Sequence, residues 1–263
     1  MHYSFTLCNS LRALSDITLK QGVTLNSMFY QCESLKVMPK MDWSKPSSAE
    51  QAFSLCHSLT VIEDTDFAFS GSMQMMFYQC TGLTNVNFTN TKVKVDSSIT
   101  ATFSGCTSLQ SVDLSGFDIT GISTGSQMFY NCPELVTVLL PEVFDVSNMS
   151  SLSSFFRSCT KLENIDLSRI KSSNKLTNIS YMLYGCKALK NVDLTGLNVS
   201  RVTTMEKAMT GLSTVKTIDL STWVLSTGTV TLDYLFNNEI VAEYQYRDKD
   251  RKRDYPRDDS CFH

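Results

Sequence analysis

Cysteine is the residue type with the most chemistry to offer in this chain, and it recurs at fixed intervals. Nine are present. Eight of them, Cys8, Cys32, Cys56, Cys80, Cys106, Cys132, Cys159 and Cys186, are separated by 24, 24, 24, 26, 26, 27 and 27 residues, and Cys261 stands alone near the end. Thiols in such numbers point to disulfides, metal binding or redox exchange. A metal or redox site needs clustered ligands or a Cys-x-x-Cys pair, and neither occurs. Cysteines at one repeated position stack roughly 4.8 Å apart at the backbone. Their side chains then point the same way and do not face one another as a disulfide requires. The row is read as a structural ladder of small buried hydrophobes. The three histidines are His2, His57 and His263, and no Ser-His-Asp order or phosphate loop accompanies them. No catalytic residue, metal site or cofactor is expected, so the chain is read as a non-enzyme.

The elements that position the cysteines repeat with them. Phe5, Phe29, Phe53, Phe77, Phe103, Phe129, Phe156 and then Leu183 stand three residues before each cysteine, and Leu11, Leu35, Leu59, Leu83, Leu109, Leu135, Leu162 and Leu189 three residues after. A short segment follows in which apolar and polar residues alternate, the period of a half-buried strand. It reads Val86-Asn87-Phe88, Val112-Asp113-Leu114, Val138-Leu139-Leu140, Ile165-Asp166-Leu167, Val192-Asp193-Leu194 and Ile218-Asp219-Leu220. A polar turn, a second apolar group such as Phe117 and Ile119, and the next Met-Phe-x-x-Cys segment complete the unit. Met and Phe precede Cys by four and three residues, which predicts a single helical or 3₁₀ turn. A unit of this size cannot cover its own apolar face, so the units must stack. About nine coils, at roughly 4.8 Å per strand, predict a rod about 43 Å long.

The strand residues that point outward are the candidate binding positions. One row is Asn85, Ser111, Thr137, Asn164, Asn191 and Thr217, and the next is Asn87, Asp113, Leu139, Asp166, Asp193 and Asp219. Two readings of the aspartates stay open. Each caps a turn through neighbouring amide and hydroxyl groups, or the row forms an acidic face that docks a protein with Leu139 as its apolar anchor. A bound divalent cation is a third, smaller alternative. Stacked carboxylates roughly 5 Å apart repel one another, and Lys190 and Lys216 are placed to offset them.

Composition sets the remaining bounds. A net charge of −3 with no basic excess argues against nucleic acid as partner. No run of about 18 apolar residues crosses a bilayer. Met1–Cys8 already belongs to a repeat and carries no basic stretch followed by an apolar one, so no signal peptide is visible and the chain reads as cytoplasmic or as a piece of a longer protein. The repeat decays at the end, where Leu212 takes the cysteine position, Trp223 closes the core and Tyr234–Glu239 forms a half-copy. Residues 1–242 are expected to form the solenoid. Residues 243–263, with six basic and six acidic side chains, are expected to be a charged, disordered tail.

The unit Met-Phe-x-x-Cys-x-x-Leu-x-x-Val-Asp-Leu-Ser resembles the BspA-like leucine-rich repeat, the bacterial surface protein repeat of about 26 residues. Residues 103–115, 129–141, 156–168 and 183–195 carry the likeness best, within roughly 3–240. The resemblance implies an α/β leucine-rich-repeat solenoid, a right-handed superhelix with one parallel β-sheet. It also implies a monomeric, non-enzymatic protein-binding module at a bacterial, phage-associated or other cell surface, recognising host or neighbouring-cell proteins. The alternative is a structural spacer in a virion or cell envelope, where the rod itself is the function.

Overall fold

In a computed structural model the described residues are 4–62, 70–88, 93–95, 97–172, 175–224, 235 and 243–245. Twelve short strands follow one another along them. They are β1 (Val61–Ile62), β2 (Asn85–Asn87), β3 (Val93–Lys94), β4 (Ser111–Asp113), β5 (Phe117–Asp118), β6 (Thr137–Leu139), β7 (Phe144–Asp145), β8 (Asn164–Asp166), β9 (Ile170–Lys171), β10 (Asn191–Asp193), β11 (Thr217–Asp219) and β12 (Glu243–Gln245). Eight of them form one parallel sheet in the order β1-β2-β4-β6-β8-β10-β11-β12. Consecutive coils stay in register, with Val86 opposite Val112, Val112 opposite Val138 and Ile165 opposite Val192. In each three-residue strand with described side chains the central residue is buried and its neighbours are exposed or half-buried. This is the inside-outside alternation that the sequence pattern predicts. The architecture is the expected parallel-sheet repeat solenoid.

The other sides of the coil are stacked as well. Strands β3 and β5 pair, as do β7 and β9, so the second apolar group forms two small parallel sheets of its own. A third side is bridged through Thr24, Ser48 and Ser72, through Ser98 and Thr124, and through Ser151, Asn178 and Thr204. The first two coils lack regular strands at 11–14 and 35–38, although the Lys36 amide still donates to the Arg12 carbonyl at 3.1 Å.

One expectation fails, and the reason is physical. Among the described residues no helix or 3₁₀ turn forms in the Met-Phe-x-x-Cys segment. Two residues in each coil have positive φ, five and one before the cysteine: Ser27 and Gln31, Gln51 and Leu55, Met75 and Gln79, Gln127 and Asn131. Left-handed residues cannot propagate a right-handed helix. The hydrogen bonds alternate instead. Gln127, Phe129 and Asn131 donate to Ser153, Phe155 and Arg157 of the next coil at 2.8–2.9 Å, while Tyr130 donates three residues back to Gln127 at 3.1 Å. The segment is therefore a ribbon of linked turns whose every second amide is spent on its neighbour, which satisfies the buried backbone without a helix.

Inside the coils the phenylalanines form an unbroken column. Phe5, Phe29, Phe53, Phe77, Phe103, Phe129 and Phe156 stack with centroids 5.2–5.7 Å apart and planes within 10°. Such stacking adds to the burial of each ring. Trp223 is buried at the far end, and its indole N–H donates to the Leu194 carbonyl at 3.4 Å. Strand β12 places the backbone of 243–245, the start of the segment read as a tail, beside β11. The half-copy at 234–239, apart from buried Leu235, and the tail residues 246–263, with Cys261, lie outside the described residues.

Candidate interaction surface

The cysteine ladder holds the residue type with the most chemistry to offer. All eight described cysteines are free thiols; Cys32 to Cys186 are buried and Cys8 is half-buried. From Cys32 to Cys186 each Sγ donates to the carbonyl of the phenylalanine one coil earlier, at 3.0–3.2 Å. Reading the sequence for packing alone missed these bonds. They explain why the position takes cysteine and not alanine: it needs a small apolar atom that is also a weak donor. Burial pushes Cys80, Cys132 and Cys186 up to about 12, and Cys32 up to about 11. Burial also raises Cys56, Cys106 and Cys159. A thiol so hard to ionise is a poor nucleophile and a poor metal ligand. Among the described residues no three His, Cys, Asp or Glu side chains converge as a metal site.

The sheet brings both outward rows together. Asn85, Ser111, Thr137, Asn164 and Asn191 follow one another coil by coil in register, and the Ser111 hydroxyl donates to Asn85 Oδ1 at 2.7 Å. The backbone of Thr217 continues the strand series in β11. In the second row Asn87 faces Asp113, Asp113 faces Leu139, and Asp166 and Asp219 flank Asp193. Each of these aspartates accepts the amide two residues on: Ser115, Ser168, Thr195 and Ser221 donate at 2.8–3.0 Å. The hydroxyls of Ser168 and Thr195 add a second bond at 2.6 Å. Hydroxyl and amide donation from Ser168 and Ser221 holds Asp166 and Asp219 below the usual carboxylate range. The same turn recurs where Asp118 and Asp145 cap Thr120 and Ser147.

The charge balance differs from expectation in one respect. Lys190 does not serve the aspartate row, because its Nζ lies 2.6 Å from Glu163 one coil earlier. Lys161 reaches back to Glu134 at 2.6 Å, and Lys171 to Asp145 at 3.1 Å. A cation extended back along the stack thus meets an anion of the preceding coil, and the aspartates rely on turn amides.

Leu139 breaks the row, and its neighbourhood breaks with it. It is 52% exposed, and Val136 and Val143 beside it in sequence are 39% and 53% exposed. The residue two positions on from Leu139 is Pro141, which has no amide hydrogen to cap. An aspartate there would have no amide to accept, so the turn tolerates leucine where neighbouring coils use an acceptor oxygen.

Stacked strands, ribbons of turns and an asparagine-and-aspartate sheet face together define a leucine-rich repeat solenoid. Within that class, the chain belongs to the family described as Mycoplasma protein of unknown function, DUF285, whose sequence profile matches residues 47–167 and again 97–223. It is similar to a leucine-rich repeat protein from Bacteroides ovatus ATCC 8483, with 17% identity and a TM-score of 0.39 over 93% of this chain and 75% of the other. It is similar also to a leucine-rich cell surface protein from Faecalibacterium prausnitzii A2-165, with 16% identity and a TM-score of 0.31 over 91% and 81% of the two chains. The leucine-rich ectodomain of a plant membrane receptor kinase from Arabidopsis thaliana, solved with a bound integrity factor, matches at 13% identity and a TM-score of 0.35. That match covers 89% of this chain and 29% of the receptor. No curated protein matches the chain significantly. Among the described residues no helix is long and apolar enough to cross a membrane.

Proposed function

We propose that the protein is a non-enzymatic protein-binding module whose sheet face docks a host or neighbouring-cell surface protein. The observation that carries this reading is Leu139, 52% exposed in an outward row whose other members are Asn87, Asp113, Asp166, Asp193 and Asp219. The strand pairing of β6 with β4 fixes the Leu139 backbone, so little backbone freedom is lost when it is covered. Burial of the Leu139 side chain would contribute on the order of 1 kcal/mol. The flanking Asp113 and Asp166 favour a partner with basic groups around an apolar socket.

The test compares purified wild-type chain with Leu139→Asp in retention of proteins from host-surface extracts. The expected result is a protein held by the wild type and lost by the variant, with the variant's circular dichroism unchanged. Retention of the same proteins by both, or of none by either, overturns the reading. A spacer role is the second reading, favoured by the unbroken phenylalanine column that would stiffen the rod.

A further inference from the structure

The second residue before each cysteine follows a rule that one coil violates. Along the ribbon the position holds Tyr30, Ser54, Tyr78, Ser104, Tyr130, Arg157, Tyr184 and Thr210. Up to Tyr130 tyrosine and a small residue alternate, and the small ones, Ser54, Ser104 and later Thr210, are buried. The Ser54 hydroxyl is satisfied by the Met75 carbonyl at 2.6 Å. At 157, where the alternation calls for a small residue, an arginine is inserted between two tyrosines.

Its surroundings hold the guanidinium by its faces. Arg157 Cζ lies 4.6 Å from the Tyr181 ring centroid, 5.3 Å from Tyr184 and 5.4 Å from Tyr130. Tyr181 and Tyr184 meet edge to face at 5.6 Å. Several bases in the adjoining coils, Lys161, Arg169, Lys171, Lys190 and Lys207, have a carboxylate within 4 Å, and Arg157 has none among the described residues. The nearby Glu206 is engaged elsewhere: it accepts the Tyr181 hydroxyl at 2.7 Å and lies 3.7 Å from Lys207. Three rings thus fix a half-buried guanidinium whose N–H edge meets no carboxylate among the described residues.

We propose that Arg157, framed by Tyr130, Tyr181 and Tyr184, anchors a docking site for an acidic peptide segment. A glutamate or aspartate carboxylate takes the planar fork bidentately, as guanidinium geometry favours. The tyrosine rings cover the side chain's stem, and their hydroxyls border the charge. The chain's net charge of −3 disfavours a polyanion such as nucleic acid or a sulfated glycan, while a single acidic side chain needs only the local field. This ribbon site is separate from the sheet face, so neither depends on the other.

The test titrates the full chain with a six-residue peptide alternating glutamate and glycine, with its glutamine counterpart, and with inorganic sulfate. The readout is the backbone amide resonances of Tyr130, Tyr181 and Tyr184, which wild type and variants share. The expected result is saturable movement with the glutamate peptide alone, weakened roughly tenfold or more by Arg157→Gln, as loss of a charged hydrogen-bonded pair implies. Arg157→Lys keeps the charge without the fork and should fall between wild type and Arg157→Gln; it also serves if Arg157→Gln fails to fold. Leu139→Asp should bind the peptide as wild type does. Equal affinity of wild type and both Arg157 variants, or absence of saturation, overturns the site. Sulfate or the glutamine peptide binding as tightly as the glutamate peptide overturns the ligand class.

Discussion

Alkaline pH should unfold this protein earlier than its size alone would imply, because the thiol ladder is protonated in the fold and ionises freely outside it. Burial raises Cys80, Cys132 and Cys186 from an ordinary 9.0 to about 12. A folded value above the unfolded one means that the native state holds the proton more tightly. That stabilisation is whole below pH 9.0 and is lost as pH climbs toward about 12. At pH 10 the unfolded thiol is mostly thiolate while the folded one is not. The difference is about 1.4 kcal/mol for each cysteine, or about 4 kcal/mol for these three. Cys56, Cys106 and Cys159 shift in the same direction, so the whole ladder's loss approaches the roughly 5–15 kcal/mol that holds an ordinary domain folded. Urea unfolding followed by circular dichroism at pH 8, 9 and 10, with a phosphine reductant present, measures the loss. Lysines and tyrosines titrate in the same range, so the decisive comparison is with the triple variant Cys80→Ala, Cys132→Ala, Cys186→Ala. Its stability should fall less steeply with pH by nearly three protons, each about 1.4 kcal/mol per pH unit. An identical slope in variant and wild type would refute the ladder as the source of alkaline lability.

Two further outcomes follow from the turns. Asp166→Asn keeps an oxygen for the Ser168 amide and hydroxyl, so its thermal midpoint should stay close to wild type, whereas Asp166→Ala should lose about 1 kcal/mol. If the asparagine variant melts as early as the alanine one, the charge and not the acceptor matters. Gly105→Ala places a Cβ 2.8 Å from Gln79 Cγ at φ +76, adding a clash to the roughly 1–2 kcal/mol of left-handed strain. Gly22→Ala, at φ +73 with nothing within 4 Å, should show the strain alone. Equal denaturation midpoints for the two glycine variants would count against the inter-coil contact.

The sheet was legible because period-two alternation is a local signal: Val112-Asp113-Leu114 reads as a strand whatever lies around it. The ribbon was not, because its conformation is set between coils. Met128 and Phe129 sit at helical spacing from Cys132, yet the Phe129 amide donates to Phe155 of the next coil at 2.9 Å. Helical spacing and stacked turns place the same side chains inward, so side-chain pattern cannot separate them. Gln31, Leu55 and Gln79 at positive φ carry no glycine signature. The clue lay in comparing copies, since the same place holds Gly105, Gly185 and Gly211. The aspartate turns were legible in kind, from Asp followed two residues on by Ser or Thr. The pairing of Lys190 with Glu163 was not, because it depends on how a long side chain leans along the stack.

The two departures from the repeat are explained unequally by local structure, and that difference separates what the fold needs from what it merely permits. Leu139 has a local reason: Pro141 removes the amide that an aspartate would cap, so leucine there leaves no donor orphaned. What the backbone does not explain is the pair of exposed valines flanking it. Arg157 has no such compensation, for a serine at its position would be buried and satisfied as Ser54 is by Met75. Introducing a guanidinium between Tyr130 and Tyr184 exchanges a satisfied hydroxyl for a cation without an acidic partner among the described residues. Coil-to-coil hydrogen bonds through the ribbon and sheet hold the backbone at both places in the same conformation as in neighbouring coils. Their side chains are therefore free of the repeat's structural duty, and both belong to consecutive coils on different segments of the rod. A solenoid built this way can vary one surface without disturbing another, which is why the Leu139 and Arg157 variants should fail independently.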